Sequence, residues 1–241
     1  MNTRMLLLAA SVGFLAGCPD DDTHSNNDSP PASPPVQTEA KQFEVTVTNL
    51  TVSQPLSPLA ILAHGSSYQL FQVGQPASLA LEKVAESGDN TDLLAEKDNN
   101  DNVTMSYSGA GVILPGSADS LTLDITGDSA SQLSIASMLV NTNDGFVGET
   151  GIDLSRIAVG ESYTMNMPVW DAGTEANSET SASIPGPAAG GEGFNAARDD
   201  DDKVSFHPGV VSLDDGLTTS ALTASHRFLN PGARLSITRI K

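Results

Sequence analysis

The sequence predicts an all-β domain, an antiparallel β-sandwich with one or two short helices. Its first strand is indicated by Phe43, Val45 and Val47, which alternate with polar residues in the period of two typical of a half-buried strand. Many further short segments rich in Val, Ile, Thr and Leu are separated by Gly, Asn, Asp and Pro, as in a sandwich. In chain order these candidate strands are residues 67–72, 102–107, 120–125, 132–140, 162–167, 203–207 and 234–240.

One segment departs from this strand pattern. Gly74-Gln75-Pro76 leads into residues 77–86, and Gly88 follows them. Proline near the start and glycine past the end are typical of a short helix. We therefore expect one helix here, and a second helical turn near residues 91–96.

The first 17 residues have the pattern of an export signal. Arg4 precedes a short apolar run, which is too short to cross the ~30 Å hydrocarbon core of a bilayer. Leu15-Ala16-Gly17-Cys18 resembles a bacterial lipobox, which implies cleavage before Cys18 and lipidation of that residue. Because Cys18 is the only cysteine, the domain that follows can form no internal disulfide.

The rest of the chain divides into a tether and one domain. Residues 18–41 are rich in Pro, Asp, Ser and Asn and predict a disordered tether, whereas residues 42–241 have the length of one all-β domain. We expect an exported lipoprotein that contacts the membrane only through the lipid at Cys18. Pro19 after that cysteine favours the outer membrane or the cell surface.

The chain is strongly acidic, with 30 acidic against 11 basic residues and a net charge of −19. Such a surface is repelled by nucleic acid, so we expect no nucleic-acid partner. The acidity suits an exported protein that relies on divalent cations, although solubility alone would explain it equally well.

No pattern of catalytic residues is present. His24, His64, His207 and His226 show no metal-ligand spacing such as H-E-x-x-H. No G-x-S-x-G segment presents a serine nucleophile. The sequence therefore predicts that the protein is not an enzyme.

The strongest chemical signal is Asp171-Ala172-Gly173-Thr174-Glu175, directly after Trp170, the only tryptophan. Its two carboxylates flank a glycine, and Ca²⁺ prefers several oxygen ligands from a flexible loop. Capped turns are the alternative explanation.

Asp144 is the third candidate ligand because it follows the predicted strand that ends at Val140. Asp171 follows another apolar segment, residues 165–169. The two aspartates could lie at one end of the sheet if their strands are antiparallel neighbours separated by an odd number of turns. Three other polar segments, at residues 98–102, 190–195 and 199–202, are interpreted as solvated turns or exposed loops.

Two segments resemble the spondin N-terminal domain of F-spondin, mindin and many bacterial secreted proteins. They are Asp144-Gly145-Phe146-Val147-Gly148 and Pro168-Val169-Trp170-Asp171-Ala172-Gly173-Thr174-Glu175. Animal members read roughly D-W-F-V-G and P-W/Y-D-A-G-T-D-S-G there. Further similarity covers residues 43–50, 54–58, 74–78, 85–88 and 228–240.

This resemblance implies a sandwich related to calcium-dependent phospholipid-binding domains, with Ca²⁺ held at loops on one edge. Carried over to matching positions, the ligands are Asp144, Asp171 and Glu175. This chain differs from the animal members in three ways: Glu175 stands where they have aspartate, Gly145 replaces an aromatic residue, and their cysteines are missing. With Gly145, Trp170 is expected to be the main apolar cover near the site.

The sequence therefore predicts a calcium-binding, spondin-like cell-surface domain for adhesion or matrix contact, with a surface protein or glycan as partner. The alternative is a calcium-independent module that binds carbohydrate or peptide. A hydrolase with Asp171 and Glu175 as its carboxylate pair is a more distant possibility, because acid–base catalysis needs two carboxyls facing each other ~5–9 Å apart across a cleft.

Overall fold

Two antiparallel sheets packed face to face form the architecture of residues 40–241, the part of the chain that the computed structural model describes. The predicted all-β sandwich is confirmed. The predicted signal peptide, Cys18 and nearly all of the predicted tether lie outside the described residues. Within residues 40–241, no helix is long and apolar enough to cross a membrane.

Ten strands make up the two sheets. The four-stranded sheet has the order β4-β1-β10-β7, and the six-stranded sheet has the order β3-β2-β5-β6-β8-β9. The strands are β1 (Lys41–Asn49), β2 (Ala60–His64), β3 (Val103–Ser108), β4 (Ala118–Ile125), β5 (Gln132–Met138), β6 (Gly145–Asp153), β7 (Ser162–Met167), β8 (Val169–Asp171), β9 (Ser205–Phe206) and β10 (Ala233–Arg239).

Strand β1 lies at the centre of the smaller sheet, and its alternation is the clearest match between sequence and structure. Val45 stands opposite Leu121 of β4 and Ile237 of β10. Phe43, Val45 and Val47 are all buried, as the period of two predicts. Together with inward-facing residues of the larger sheet, they form the core between the layers.

The predicted helix is confirmed as α1 (Leu79–Ser87), which packs on the outer face of the larger sheet. The Ser78 hydroxyl accepts a hydrogen bond from the Leu81 amide, and Gly88 ends the helix with a φ of 69°. Leu81 belongs to a second apolar cluster with Phe146 and Trp170. The region of the expected second turn contains α2 (Thr91–Leu94) and α3 (Glu96–Asn99). Three 3-10 helices, Leu154–Arg156, Leu213–Asp215 and Ala224–His226, complete the elements.

One strand prediction is wrong, and three strands were not predicted, namely β2, β6 and the three-residue β8. Residues 67–72 form turns and irregular chain, and their apolar residues Tyr68, Leu70 and Phe71 are buried in the second apolar cluster. Strand β2 was missed because both of its faces are covered, so its residues are apolar without alternation. Strand β6 was missed because its three glycines look like loop residues in the sequence.

Pro168 marks the point where the chain leaves one sheet and enters the other. Strand β7 pairs with β10 in the four-stranded sheet, whereas β8 pairs with β6 in the six-stranded sheet. Proline has no amide hydrogen to contribute to a ladder, so it suits a position between strands. The crossing places Asp171 at the end of β8, beside the start of β6.

Leu235→Ala should lower the free energy of unfolding by about 2–5 kcal/mol, because it leaves a cavity between the sheets. The matched control is Leu229→Ala, since Leu229 is 88% exposed, and its effect should stay within about 0.5 kcal/mol. Urea denaturation of both variants measures the difference. Equal losses would contradict this description of the core.

Candidate metal site

The two predicted aspartate segments meet at one end of the six-stranded sheet. Gly145 of β6 stands opposite Asp171 of β8, and the Ala172 amide donates to the Asp144 carbonyl at 3.2 Å. The assumed arrangement of strands was wrong, because the strands that end near Val140 and Asp171 are not neighbours. Strand β6 lies between them and pairs with both.

One oxygen of Asp144 anchors the Asp171–Glu175 loop. Asp144 Oδ2 accepts hydrogen bonds from the Thr174 amide at 2.8 Å, the Glu175 amide at 3.1 Å and the Thr174 hydroxyl at 3.3 Å. Its other oxygen, Oδ1, is buried and has no hydrogen-bond partner. Asp144 therefore orients the loop with one oxygen and keeps the other available.

Asp171 shapes the start of the same loop. Its Oδ1 accepts the Gly173 amide at 2.8 Å, and its Oδ2 accepts the side-chain amide of Asn177 at 2.7 Å. Gly173 has a φ of +71°, a conformation that suits glycine. The side-chain oxygen of Asn177 is buried without a partner, so it is a further available oxygen near Asp171.

Asn143 links Glu175 to a residue that sequence reasoning missed, Glu179. The Asn143 side chain donates to Glu175 Oε2 at 3.4 Å, and its oxygen accepts the Glu179 amide at 3.2 Å. Glu179 Oε1 accepts the Val211 amide at 3.2 Å, and its Oε2 is buried without a partner. No pattern in the sequence sets Glu179 apart from an ordinary loop glutamate.

Glu86 is the second residue that the sequence did not indicate. It lies near the end of α1 and is fully buried. Its Oε2 accepts the Asn195 amide at 2.8 Å, whereas its Oε1 has no partner. In sequence it looks like a charged residue on the solvent face of an amphipathic helix, whereas in the structure the loop around Asn195 contacts it.

Besides Glu82, which pairs with Arg198, five buried carboxylates lie in this region, and we refer to them as the acidic cluster: Glu86, Asp144, Asp171, Glu175 and Glu179. Among residues 40–241, no ion pair includes a member of this cluster. Arg198 lies nearby, but its guanidinium pairs with Glu82 and Asp202. Buried carboxylates without a cation cost free energy in their charged form.

The pKa values of all five carboxyl groups are raised, because burial disfavours their charged form. Burial is the main cause in each case, and it raises the pKa of Asp144 to about 7, of Glu175 to about 8 and of Glu179 to about 7. Burial also raises the pKa of Asp171 and of Glu86. Electrostatic repulsion raises two of these pKa values further. Repulsion from Asp171 raises the pKa of Asp144, and repulsion from Glu86 raises the pKa of Glu175.

The available oxygens have the chemistry of calcium ligands. Asp144 Oδ1, Glu86 Oε1, Glu179 Oε2 and the Asn177 side-chain oxygen are all buried and unpartnered. Carboxylate and amide oxygens are the groups that Ca²⁺ binds in proteins. Within the described residues, however, no three Asp, Glu, His or Cys side chains are grouped closely enough to hold a metal ion.

Gly145 lies beside a histidine ring, and Trp170 lies among aromatic rings. A Cβ at Gly145 would lie 2.9 Å from Cδ2 of His207, so the histidine ring occupies the space beside this position. Burial lowers the pKa of His207 to about 4, and the ring is therefore neutral. Trp170 packs against Phe71 and stacks on Phe206, with ring centroids 4.4 Å apart in the stacked pair.

The three other polar segments differ in their surroundings. Asp98 is exposed on α3. Asp199 is also exposed, but its Oδ1 accepts the Ala176 amide at 2.7 Å, and the Asp202 amide donates to the Gly173 carbonyl at 2.9 Å. Residues 190–195 contribute the Asn195 amide that binds Glu86. Two of the three segments therefore support the acidic cluster.

The fold and the site define a β-sandwich domain with an acidic loop cluster at one end of its larger sheet. The family model described as Spondin_N matches residues 38–206, which is more than half of the chain. The chain belongs to the spondin N-terminal domain family, as the two aspartate segments indicated. Strand β10 lies beyond the matched residues but pairs with both β1 and β7. The chain matches none of the curated proteins compared with it.

Without calcium, the protein should lose stability as the pH rises from about 6.5 to 8.5. The raised pKa values mean that the folded chain holds protons that the unfolded chain, with carboxyl pKa values of about 4, has released, so unfolding becomes easier at higher pH. The low pKa of His207 acts in the opposite direction, but only below about pH 6.5.

Thermal melts in EDTA across this pH range measure the effect. Glu175→Gln should make the decrease smaller, because the variant removes the group whose pKa is raised furthest. A midpoint that stays constant or rises between pH 6.5 and 8.5 would contradict charge burial in the acidic cluster.

Gly173→Ala should destabilise the loop by about 1–3 kcal/mol more than Gly190→Ala. Both glycines have a positive φ, of +71° and +72°, so their backbone strain is matched. At Gly173 a Cβ would lie 2.4 Å from the Lys203 carbonyl oxygen, whereas at Gly190 nothing lies within 4 Å. Chemical denaturation of the two variants measures the effect of this contact. Equal losses of unfolding free energy would show that the contact with Lys203 does not matter.

Proposed function

We propose that this domain binds Ca²⁺ in the acidic cluster and serves adhesion or matrix contact at a bacterial cell surface. The observation that carries the proposal is the environment of Asp144. One of its oxygens accepts three hydrogen bonds from the Asp171–Glu175 loop, whereas the other is buried with no partner. Burying a polar atom in this way costs about 1–3 kcal/mol unless a ligand satisfies it.

The proposed ligands are Asp144, Asp171 and Glu175, joined by Glu179. Asp144 Oδ1 and Glu179 Oε2 have no partner to lose, so they would bind without breaking a hydrogen bond. Asp171 would keep its bond from the Gly173 amide through one oxygen. The bond between Asn143 and Glu175 is long, at 3.4 Å, which leaves this carboxylate free to turn toward an ion.

A bound calcium ion would stabilise the domain by removing repulsion between buried carboxylates. These side chains come from a turn before β6, the end of β8 and the loop after it, so one ion would connect several separate segments. Residues 40–241 contain no cysteine, so no disulfide can do this instead. A bound calcium ion would thus hold these segments together in the way that a disulfide holds segments of other domains.

The proposed location is the outer membrane or cell surface, with the chain anchored by lipid at Cys18. The partner would be a surface protein or a glycan. Support comes from the membership of the spondin N-terminal domain family and from the lipobox-like segment at residues 15–18. In this proposal Asp171 and Glu175 are assigned to calcium binding and have no catalytic role.

A calcium-independent binding module remains the second candidate, and one observation favours it. Phe206 on the edge strand β9 is 60% exposed, and its ring is held by stacking on Trp170. A fixed, exposed aromatic ring suits contact with a sugar or an apolar peptide side chain. In this alternative the acidic cluster would be purely structural.

Thermal melts of the full chain with excess Ca²⁺ and with EDTA, followed by Trp170 fluorescence, distinguish the two candidates. A ligand at 100 times its Kd adds about 2.7 kcal/mol, which should raise the midpoint by about 5–10 °C for a domain of this size. Asp171→Asn should abolish this rise, because it removes the charge of a proposed ligand. An asparagine can accept only one of the two hydrogen bonds that Asp171 accepts, so the rise is compared with the variant's own melt in EDTA.

Asp98→Asn is the matched control. Asp98 is an exposed aspartate whose carboxylate pairs with Lys97 on α3, and its replacement should leave the calcium-dependent rise unchanged. Identical melts with Ca²⁺ and with EDTA would refute the calcium proposal and favour the second candidate.

A further inference from the structure

Strand β7 is an edge strand of the four-stranded sheet, and its outer side is unpaired. It pairs with β10 on one side, and no other strand among residues 40–241 pairs with it. The carbonyls of Glu161 and Met167 accept amides of β10 and of the residue before it, at 3.0 and 3.1 Å, so the odd-numbered residues of β7 face β10. The amides and carbonyls of the alternate residues, Ser162, Thr164 and Asn166, therefore face away from the sheet.

The edge of β7 lacks the features that usually protect an exposed strand. Its sequence, Ser-Tyr-Thr-Met-Asn-Met, contains no charged residue, proline or glycine. Charged side chains, prolines and bulges are the common means of preventing an edge from pairing. The opposite edge strand, β4, carries Asp119 and Asp124, and the Tyr107 hydroxyl donates to the Asp124 carbonyl at 2.6 Å. One edge of the smaller sheet is thus partly covered, whereas the other is open to a further strand.

A cavity of about 420 Å³ lies beside this open edge, between β7 and the last part of β6. Strand β8 pairs with β6 only at residues 145–147, so no described strand pairs with residues 148–153 of β6 on that side. Tyr163 and Met165 line the cavity from the smaller sheet, and Glu149 and Ile152 line it from the larger one. Because side chains alternate along a strand, a strand added to β7 would direct every second side chain to the mouth of this cavity.

The charged residues that line the cavity favour a basic occupant. They are Glu149, Asp153, Glu161 and one cation, Arg156, which pairs with Asp153 at 2.9 Å. Glu149 and Glu161 take part in no ion pair among residues 40–241. Glu149 Oε1 accepts the Thr150 amide at 3.1 Å, and burial raises the pKa of this carboxyl, so a cation beside it would stabilise its charged form. A second copy of this chain fits poorly, because each copy carries a net charge of −19.

We propose that the outer side of β7 is an interaction surface that binds an extended, basic segment of a partner protein as a fifth strand of the smaller sheet. The partner's backbone would pair with Ser162, Thr164 and Asn166, and a lysine or arginine side chain would enter the cavity toward Glu149. When an extended peptide joins a sheet edge, backbone hydrogen bonds provide affinity and side-chain contacts provide specificity. The surface lies at the other end of β6 from Asp144, so the inference goes beyond the proposed calcium site and does not require the ion.

Binding of a synthetic peptide to the full chain in EDTA tests the inference. The probe is a fluorescent peptide of about ten residues in which lysine alternates with valine, and its anisotropy measures the affinity. Thr164→Pro should weaken binding about tenfold or more, because it removes an outward amide without removing a hydrogen bond to β10. The variant should fold, since an edge strand tolerates proline where the amide faces away from the sheet.

Thr122→Pro is the matched control on the opposite edge. Thr122 is an exposed residue of β4, and it faces away from β1 because the Asp124 carbonyl, two residues later, accepts the Tyr107 hydroxyl. Its replacement should leave the affinity for the peptide unchanged.

Two further measurements separate backbone pairing from charge. A peptide with alternate amides methylated keeps every lysine but loses the donors on one side, and it should bind about tenfold more weakly. Glu149→Gln should weaken binding about threefold, because it removes a charge while the glutamine oxygen can still accept the Thr150 amide.

Four outcomes would overturn the inference. The first is no binding of the basic peptide, and the second is equal affinity for the methylated peptide or for Thr164→Pro, which would show non-specific attraction by charge. The third is binding that Phe206→Ala abolishes and Thr164→Pro does not, which would place the peptide at the exposed ring of the second candidate function. The fourth is a dimer of the chain alone that Thr164→Pro makes monomeric, which would assign the edge to a second copy. All four are measured in EDTA, so they are distinguishable from failure of the calcium proposal.

Discussion

The hydrogen bonds between Asp144 and the Asp171–Glu175 loop are the interaction on which the rest of the site depends. One carboxylate oxygen accepts two backbone amides and a hydroxyl from a loop some thirty positions further along the chain. These bonds join the start of β6 to the end of β8. They also explain why a charged residue is tolerated in a fully buried position, since a carboxylate that accepts several amides is partly solvated by the protein itself.

In the acidic cluster, hydrogen bonds favour the arrangement of the carboxyl groups, whereas repulsion between their charged forms opposes it. Each carboxyl group has at least one hydrogen bond that orients it, yet the five groups lie together without a paired cation among residues 40–241. The raised pKa values express that conflict in the metal-free chain. A cation bound by this cluster would be coupled to stability, because it would bind only the folded arrangement.

The sandwich positions the site through two features of chain path. Pro168 lets the chain pass from the smaller sheet to the larger one, so that β8 can pair with β6. Helix α1 lies on the outer face of the larger sheet and carries Glu86 to the same region. Both features depend on contacts between segments far apart in sequence, and the loop around Asn195 then covers Glu86.

The sequence by itself determined the sandwich, the position of α1 and the approach of Asp144 to Asp171, because alternation, capping residues and two short motifs are local signals. Only the tertiary structure revealed β2 and β6, because full burial removes alternation and glycine disguises a strand. It also decided that Glu86 and Glu179 lie buried near Asp144 and Asp171, and that Trp170 packs between Phe71 and Phe206. Burial of a charged side chain depends on which distant segments cover it, and no local pattern records that.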